Sequence, residues 1–235
     1  MPFTVTLIGP DGAGKTTVAR LLEERLPLPC CYLYMGVSVA SSNRTLPTTR
    51  IVHALKRRLG ARPDTAGPRD PTERRDVPRG PKRALRIARS FAQVINLMME
   101  EWYRQGLTWW FQLRGRVVLY DRHFFIDYFE YDISQPQSLA QRLHGWNLRR
   151  FLPRPRLVLV LDAPGEVLFA RKGEGSIELL ERRRRDYLEM DKLFPDFEVL
   201  DATAPLDAVV EQAIRCVVAY HDRRAAGHKR DGNGE

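Results

Sequence analysis

Gly9-Pro10-Asp11-Gly12-Ala13-Gly14-Lys15-Thr16 is the stretch on which the reading of this chain turns. It closes a β-rich apolar run, Phe3 to Gly9 (FTVTLIG), and leads into Thr16 to Leu26, where Val18, Leu21, Leu22 and Leu26 fall at helical spacing. Strand, loop and helix thus follow in order, and the loop fits G-x-x-x-x-G-K-[ST]. Its glycines let backbone N–H groups turn inward around phosphate oxygens, and the helix behind it adds the positive end of a dipole. Lys15 has the reach and charge for β- and γ-phosphates, and the Thr16 hydroxyl suits Mg²⁺.

The rest of the chain supplies the scaffold such a loop needs. Cys31 to Met35 is a short second strand, and Val117–Tyr120 and Leu157–Leu161 are continuous apolar runs of the kind found in central parallel strands, each followed by an aspartate. Phe197–Leu200 reads as a last strand. Leu85, Ala88, Ala92, Ile95, Met99 and Trp102 mark a long helix with one apolar face, and helical turns are expected from about Phe124 to Phe151. Glu166–Lys172 and Ile177–Phe194 are helical, and Leu206, Val209, Val210, Ala213, Ile214, Val217 and Val218 form a closing helix. The expected fold is α/β, a five-stranded parallel sheet with helices on both faces and ligands at the carboxyl ends of the strands.

At 235 residues one domain is expected over 1–221, with a polar, disordered tail over 222–235. With 43% apolar and 29% charged residues and no apolar stretch of membrane-spanning length, the expectation is a soluble cytoplasmic protein. Three cysteines, two of them the adjacent Cys30 and Cys31, suit neither a disulfide framework nor a zinc site. The formal charge of +9 arises from one segment: Arg44 to Ser90 holds 14 Lys/Arg against 4 Asp/Glu, and the remainder is nearly balanced. Gly60 to Pro81 within it carries five prolines and no apolar period, so residues 44–83 read as a basic insertion. A solvated loop, an anionic substrate, a membrane surface and nucleic acid are all open to it.

A phosphate-binding loop leaves kinases, GTPases and ATPases open, but no guanine-reading N-K-x-D and no ABC-type signature occurs. The strand-end aspartates then matter. Asp121, in Val117-Val118-Leu119-Tyr120-Asp121-Arg122-His123, emerges where it can hold Mg²⁺ or orient an acceptor oxygen, and Arg122 beside it can grip an anion. Asp162 competes for that role, with capping of the next turn as its alternative. In the run Arg182–Arg185, Glu178 and Glu181 stand four residues before Arg182 and Arg185 and supply helical partners. Arg183 and Arg184 fall instead among Ile177, Leu180, Tyr187 and Phe194 and call for an anion. With Arg171 and Lys172 before a Gly173–Gly175 hinge, residues 171–185 read as a mobile arginine lid.

These motifs resemble the thymidylate kinase family of nucleoside-monophosphate kinases: Gly9–Thr17 (GPDGAGKTT), Val117–Arg122 (VVLYDR), Leu161–Arg171 (LDAPGEVLFAR), Arg184–Leu188 (RRDYL) and Asp201-Ala202. The resemblance implies a three-layer P-loop kinase fold and ATP with Mg²⁺ as cofactors. It implies that Lys15 and Thr16 bind ATP and Mg²⁺, that Asp121 and Arg122 handle the acceptor side, and that Arg171 and Arg184 act from the lid. Taken with the loop and the helical phase, the expected nucleotide-binding residues are Asp11, Gly12, Ala13, Gly14, Lys15, Thr16, Thr17, Arg171 and Arg183, with a metal at Thr16 and Asp121. Catalysis would rest on Lys15, Asp121, Arg122 and Arg184, the lid supplying positive charge because Gly12-Ala13 puts no arginine in the loop. Asp11 matches an acidic residue near the acceptor's sugar.

The chain also departs from the family. Tyr34-Met35-Gly36-Val37-Ser38 replaces an R-E-P-G-type segment, and Phe91-Ala92-Gln93-Val94-Ile95-Asn96 lacks the Phe and Arg that read thymine. The expected acceptor is therefore a small nucleotide, nucleoside or other hydroxylated metabolite, without selectivity for dTMP. Phe124–Tyr128 resembles a looser thymidylate kinase-like group, and Asp127, one helical turn beyond His123, has an acceptor hydroxyl or a helix cap as its partner. Trp109, Trp110 and Phe111 are read as core, with base stacking as the alternative, and His123 as structural, with a general base as the alternative. A regulatory nucleotide-binding module, a nucleic-acid-binding protein using the insertion, and a homodimer also stand as expectations.

Overall fold

A computed structural model of the chain describes residues 2–36, 81–134, 136 and 138–231. Contacts group the chain into two compact units, one of Met1–Leu33, Trp109–Arg122 and Pro155–Glu235, the other of Tyr34–Thr108 and His123–Arg154. The basic segment 44–83, apart from its last three residues, lies outside the described residues.

The first unit is built on β1 (Thr4–Ile8), β2 (Cys30–Tyr34), β3 (Val117–Asp121), β4 (Leu157–Asp162) and β5 (Phe197–Asp201). They form one all-parallel sheet in the order β2-β3-β1-β4-β5. The apolar runs explain the order: β1 and β3 are buried throughout and β4 nearly so, as strands covered on both sides must be, whereas edge strand β5 exposes Glu198 and Val199. The register pairs Leu7 with Asp121 and Ile8 with Val160, so the chain leaves β1, β3 and β4 side by side at their carboxyl ends. Winding reverses beside β1, and ligands of open α/β sheets gather at such a point.

Helix α1 (Lys15–Arg25) packs on β1 and β3, and the closing helix, Leu206–Asp231, packs on α1, β4 and β5. That helix runs through the stretch from Asp222 that the sequence reading assigns to a disordered tail. Arginine and alanine are good helix formers; Arg223 pairs with Asp196 at 3.2 Å, and Arg223 and Arg224 lie over the Tyr220 ring.

In the second unit the long helix α2 spans Pro81–Leu113, its end from Trp109 belonging to the first unit. Then come α3 (Phe124–Asp127), a π-helical turn (Phe129–Ser134) and α4 (Leu139–Arg150), capped by Ser138. An apolar helix stripe is ordinarily the buried side, but α2 is inverted. Ala88 and Ala92 are exposed, Ile95 is 52% and Met99 48% exposed, and Trp102 also reaches solvent, whereas Glu100, Glu101, Arg104, Gln105 and Thr108 are buried. Each buried charge has partners. Arg104 bonds Glu100 at 2.9 and 3.1 Å and the Gly36 carbonyl at 2.7 Å, and stands over Phe124. The imidazole of His144 lies between Asp132 at 2.5 Å and Glu101 at 2.7 Å, with Asn147 on the other Glu101 oxygen.

Burial alone would lower the His144 pKa, but the hydrogen bonds and charges of Asp132 and Glu101 outweigh it and hold the imidazolium up to about 9. A folded pKa above the unfolded value stabilises most fully below about pH 6.5, and that contribution fades as pH rises through about 9. Denaturant unfolding should therefore show stability falling across this window. His144→Gln should abolish that slope and cost about 3–5 kcal/mol at pH 6, the loss typical of a broken buried ion pair. Among the described residues no helix is long and apolar enough to cross a membrane.

Candidate functional site

The loop between β1 and α1 holds its shape through close backbone approaches. At Gly9 (φ 141°) a Cβ would stand 2.5 Å from the Leu161 carbonyl oxygen, and at Gly12 (φ 90°) 2.7 Å from that of Leu168, so neither position admits a side chain. Gly14, left-handed at φ 87°, precedes α1 and caps it without a side-chain bond, and the first turn of α1 carries no acidic residue. The positive helix end is thus left for an outside anion. Lys15 is buried, with its ammonium on the carbonyl oxygens of Gly9 at 2.8 Å and Pro10 at 2.7 Å. Ala13 is buried at the turn, and Thr17 is exposed.

Thr16 faces β3: its hydroxyl donates to Asp121 Oδ2 at 2.5 Å, and the Tyr32 hydroxyl donates to the same oxygen at 3.0 Å. Asp121 Oδ1 is buried and accepts no hydrogen bond among the described residues. A buried carboxylate oxygen left without a donor is costly and suits a cation. Among the described residues no group of three or more His, Cys, Asp or Glu is arranged to hold a metal. Mg²⁺ beside a phosphate asks less of the protein, one carboxylate and a hydroxyl, with phosphate and water completing its shell. Thr16 and Asp121 fit that donor set. Tyr32 went unrecognised in the sequence, where nothing separates it from other β2 aromatics.

Arg122, next along, is left-handed at φ 68°, with its N–H on the Leu7 carbonyl and its own carbonyl accepting from Thr6. A non-glycine residue there is uncommon and points to a constrained role. The turn carries its guanidinium back to Asp11 Oδ1 at 2.8 Å, and Arg183 reaches Asp11 Oδ2 at 2.8 Å. Burial raises the Asp11 carboxyl, but Lys15, Arg122 and Lys172 outweigh it and hold the group below its ordinary value.

Helices α5 (Gly165–Lys172) and α6 (Ile177–Leu188) follow β4, joined through left-handed Gly173 and Gly175, and a 3₁₀ turn (Glu189–Leu193) continues α6. The helical phase holds for Leu180, which is buried, for half-buried Arg184 and Tyr187, and for exposed Arg182 and Arg185; Ile177 and Arg183, both expected on the inward side, are exposed. The expected partners are corrected. Arg182 and Arg185 form no ion pair among the described residues: Glu178 bonds Ser176 instead of Arg182, and Glu181 turns inward to accept from the Gly165 N–H at 2.6 Å and from Arg184 at 3.4 Å. Nor do Arg183 and Arg184 lack an anion: Asp11 takes the first, and Asp162 the second through bonds of 2.6 and 2.9 Å. Asp162 is therefore no cap; Pro164 precedes α5 in that place. Arg171 donates to the Ala202 carbonyl at 2.9 Å, and Lys172 pairs with Glu174.

Within the second unit His123 caps α3, accepting from the Phe125 N–H at 3.2 Å, and burial pushes its imidazole down to about 3, a neutral structural group. Asp127 ends α3 instead of capping it. Phe111 is core as expected, but Trp109 and Trp110 are exposed, Arg114 lying 3.8 Å over the Trp110 ring. The first unit thus gathers Asp11, Gly12, Ala13, Gly14, Lys15, Thr16, Asp121, Arg122 and Arg183 about one loop, while Arg184 bonds Asp162 and Glu181 and not the loop. No protein-family model matches the chain, and no curated protein matches it either.

Proposed function

We propose that the chain is an ATP- and Mg²⁺-dependent phosphotransferase of the thymidylate kinase-like kind, a three-layer P-loop kinase fold with an arginine lid over 171–185, acting on a small hydroxylated or phosphorylated acceptor. The observation that carries this reading is the junction of Thr16 with Asp121, whose second carboxylate oxygen is buried beside the Gly9–Thr16 loop without a donor among the described residues. A nucleotide's phosphates would enter the loop against the backbone N–H groups and the positive end of α1. Lys15 would exchange its two carbonyl bonds for phosphate oxygens, a small movement for a side chain already anchored at the loop. Thr16 and Asp121 would hold Mg²⁺, which when bound neutralises phosphate charge and orients the phosphoryl group. Arg122 and Arg183, held by Asp11, and Arg184, held by Asp162, stand ready to donate to oxygens that gain charge during transfer. Catalysis is then positioning and charge stabilisation, with no covalent enzyme intermediate.

ADP release measured with MgATP across nucleosides, nucleotides and sugars tests the proposal. One acceptor should raise it saturably, with dTMP a poor one; ATP binding with no acceptor-dependent release would mark a regulatory nucleotide-binding module instead. The partner proposed for the exposed side of α2 is a second copy of the chain. From Ser90 to Leu113 all three charged residues are buried, so nothing charged on that stretch opposes an apolar, self-complementary pairing of helices. Ile95, Met99 and Trp102, with Trp146 and Phe151 stacked beside them, each expose on the order of 100 Å², so two copies would bury about 1,000 Å², the lower bound for a stable interface. Sedimentation should give a dimer that Met99→Glu dissociates without loss of helix content; a monomeric wild type at micromolar concentration would overturn this.

A further inference from the structure

The four consecutive arginines of α6 differ in how their guanidinium groups are held. Arg184 alone is gripped along a guanidinium edge by two parallel bonds, Nε to Asp162 Oδ1 at 2.6 Å and Nη2 to Asp162 Oδ2 at 2.9 Å. Such a planar fork fixes direction as well as distance. The carboxylate stands on rigid ground: Asp162 pairs with Asp201 in the sheet, and its carbonyl accepts from the Ala202 N–H at 2.7 Å. The arginine stands on a helix reached through two left-handed glycines. Glu181 closes the arrangement with one oxygen on the Gly165 N–H and the other 3.4 Å from Arg184 Nη1. Gly165 has to be glycine for this approach, since a Cβ there would meet the Ile177 carbonyl oxygen at 2.8 Å and Glu181 Cγ at 2.9 Å.

Of the five guanidinium N–H donors, two are spent on Asp162 and one on the long contact to Glu181, so two remain among the described residues. Two carboxylates already offset the Arg184 charge. What it offers an incoming phosphoryl group is the aim of its unspent donors, and the fork to Asp162 sets that aim. We infer that Asp162 is a positioning residue for phosphoryl transfer, holding Arg184 by its Nε edge so that the opposite end of the guanidinium meets the transferring group. This rests on the phosphotransferase reading and adds to it a role for the aspartate of β4.

A double-mutant cycle on acceptor-dependent ADP release tests it, with thermal midpoints as the folding control. Asp162→Asn should lower kcat by about 10- to 10²-fold, the scale of a misplaced catalytic contact, with the KM for ATP within about twofold. In an Arg184→Ala background the same substitution should cost less than about twofold, because the group it positions is gone. Arg184→Lys, which keeps the charge and loses the fork, should fall nearly as far as Arg184→Ala and does not depend on how the Asp162 variant folds. Additive losses, a full-activity Asp162→Asn, or an Arg184→Lys enzyme within a few-fold of wild type would each overturn the inference while leaving the phosphotransferase standing. A wild-type protein with no transfer to any acceptor would overturn both.

Discussion

Arg184→Ala is expected to lower turnover by about 10³-fold or more, the scale of an arginine that stabilises a transferring phosphoryl group. Arg182→Ala and Arg185→Ala should leave it within a few-fold and stability within a few tenths of a kcal/mol, as exposed helix positions do. The two neighbours project into solvent without ion pairs among the described residues, whereas Arg184 is half-buried on the Asp162 fork. Arg183, exposed but bound to Asp11, should fall between. Steady-state ADP release for the four alanine variants checks the order. Equal activities would mean an ordinary charged helix, and a dominant loss at Arg182 or Arg185 would mean that the functional face lies elsewhere on α6.

The second large effect belongs to β3. Asp121→Asn should cut kcat by about 10²- to 10³-fold while changing the KM for ATP far less. The asparagine oxygen can still accept from Thr16 and Tyr32, so the local fold survives, but its amide would put donor hydrogens where the buried Oδ1 has no partner among the described residues. A cation excluded from that oxygen would leave ATP bound with its phosphate charge unneutralised. Pre-steady-state measurement over a range of Mg²⁺ concentrations separates the effects, and the variant should need more metal for half-maximal activity. A larger loss at Asp162 would mean that the metal carboxylate is on β4.

The sheet and its loop were legible because their signals are local and redundant. Apolar runs ending in Gly9, Asp121 and Asp162 could be little else than buried parallel strands, and Gly9, Gly12 and Gly14 all take the left-handed or crowded conformations that their spacing suggests. Helical phase put Arg184 on the half-buried side for the same reason, one period along one helix, but it put Arg183 there too, and Arg183 is exposed. Partners could not be found that way. Glu181 at four residues from Arg185 is a helix neighbour on paper, yet a backbone N–H at Gly165, distant in sequence, takes its carboxylate. Asp11 and Asp162 answer arginines some 172 and 22 residues away. The polarity of α2 misled more deeply: its apolar stripe has the period of a buried face, but the buried side is held by Glu100 with Arg104 and by Glu101 with His144 and Asp132, charges that neutralise one another only once the fold brings them together.

Calorimetric titration of the protein with MgATP, wild type against Lys15→Ala, measures whether the Gly9–Thr16 loop binds nucleotide. Wild type is expected to bind saturably, and Lys15→Ala to lose that binding while unfolding at nearly the same temperature, since the Lys15 ammonium rests on two loop carbonyls and forms no part of the apolar core. A wild-type protein that takes up no nucleotide, or a Lys15→Ala variant that binds it as tightly, would contradict nucleotide binding at that loop.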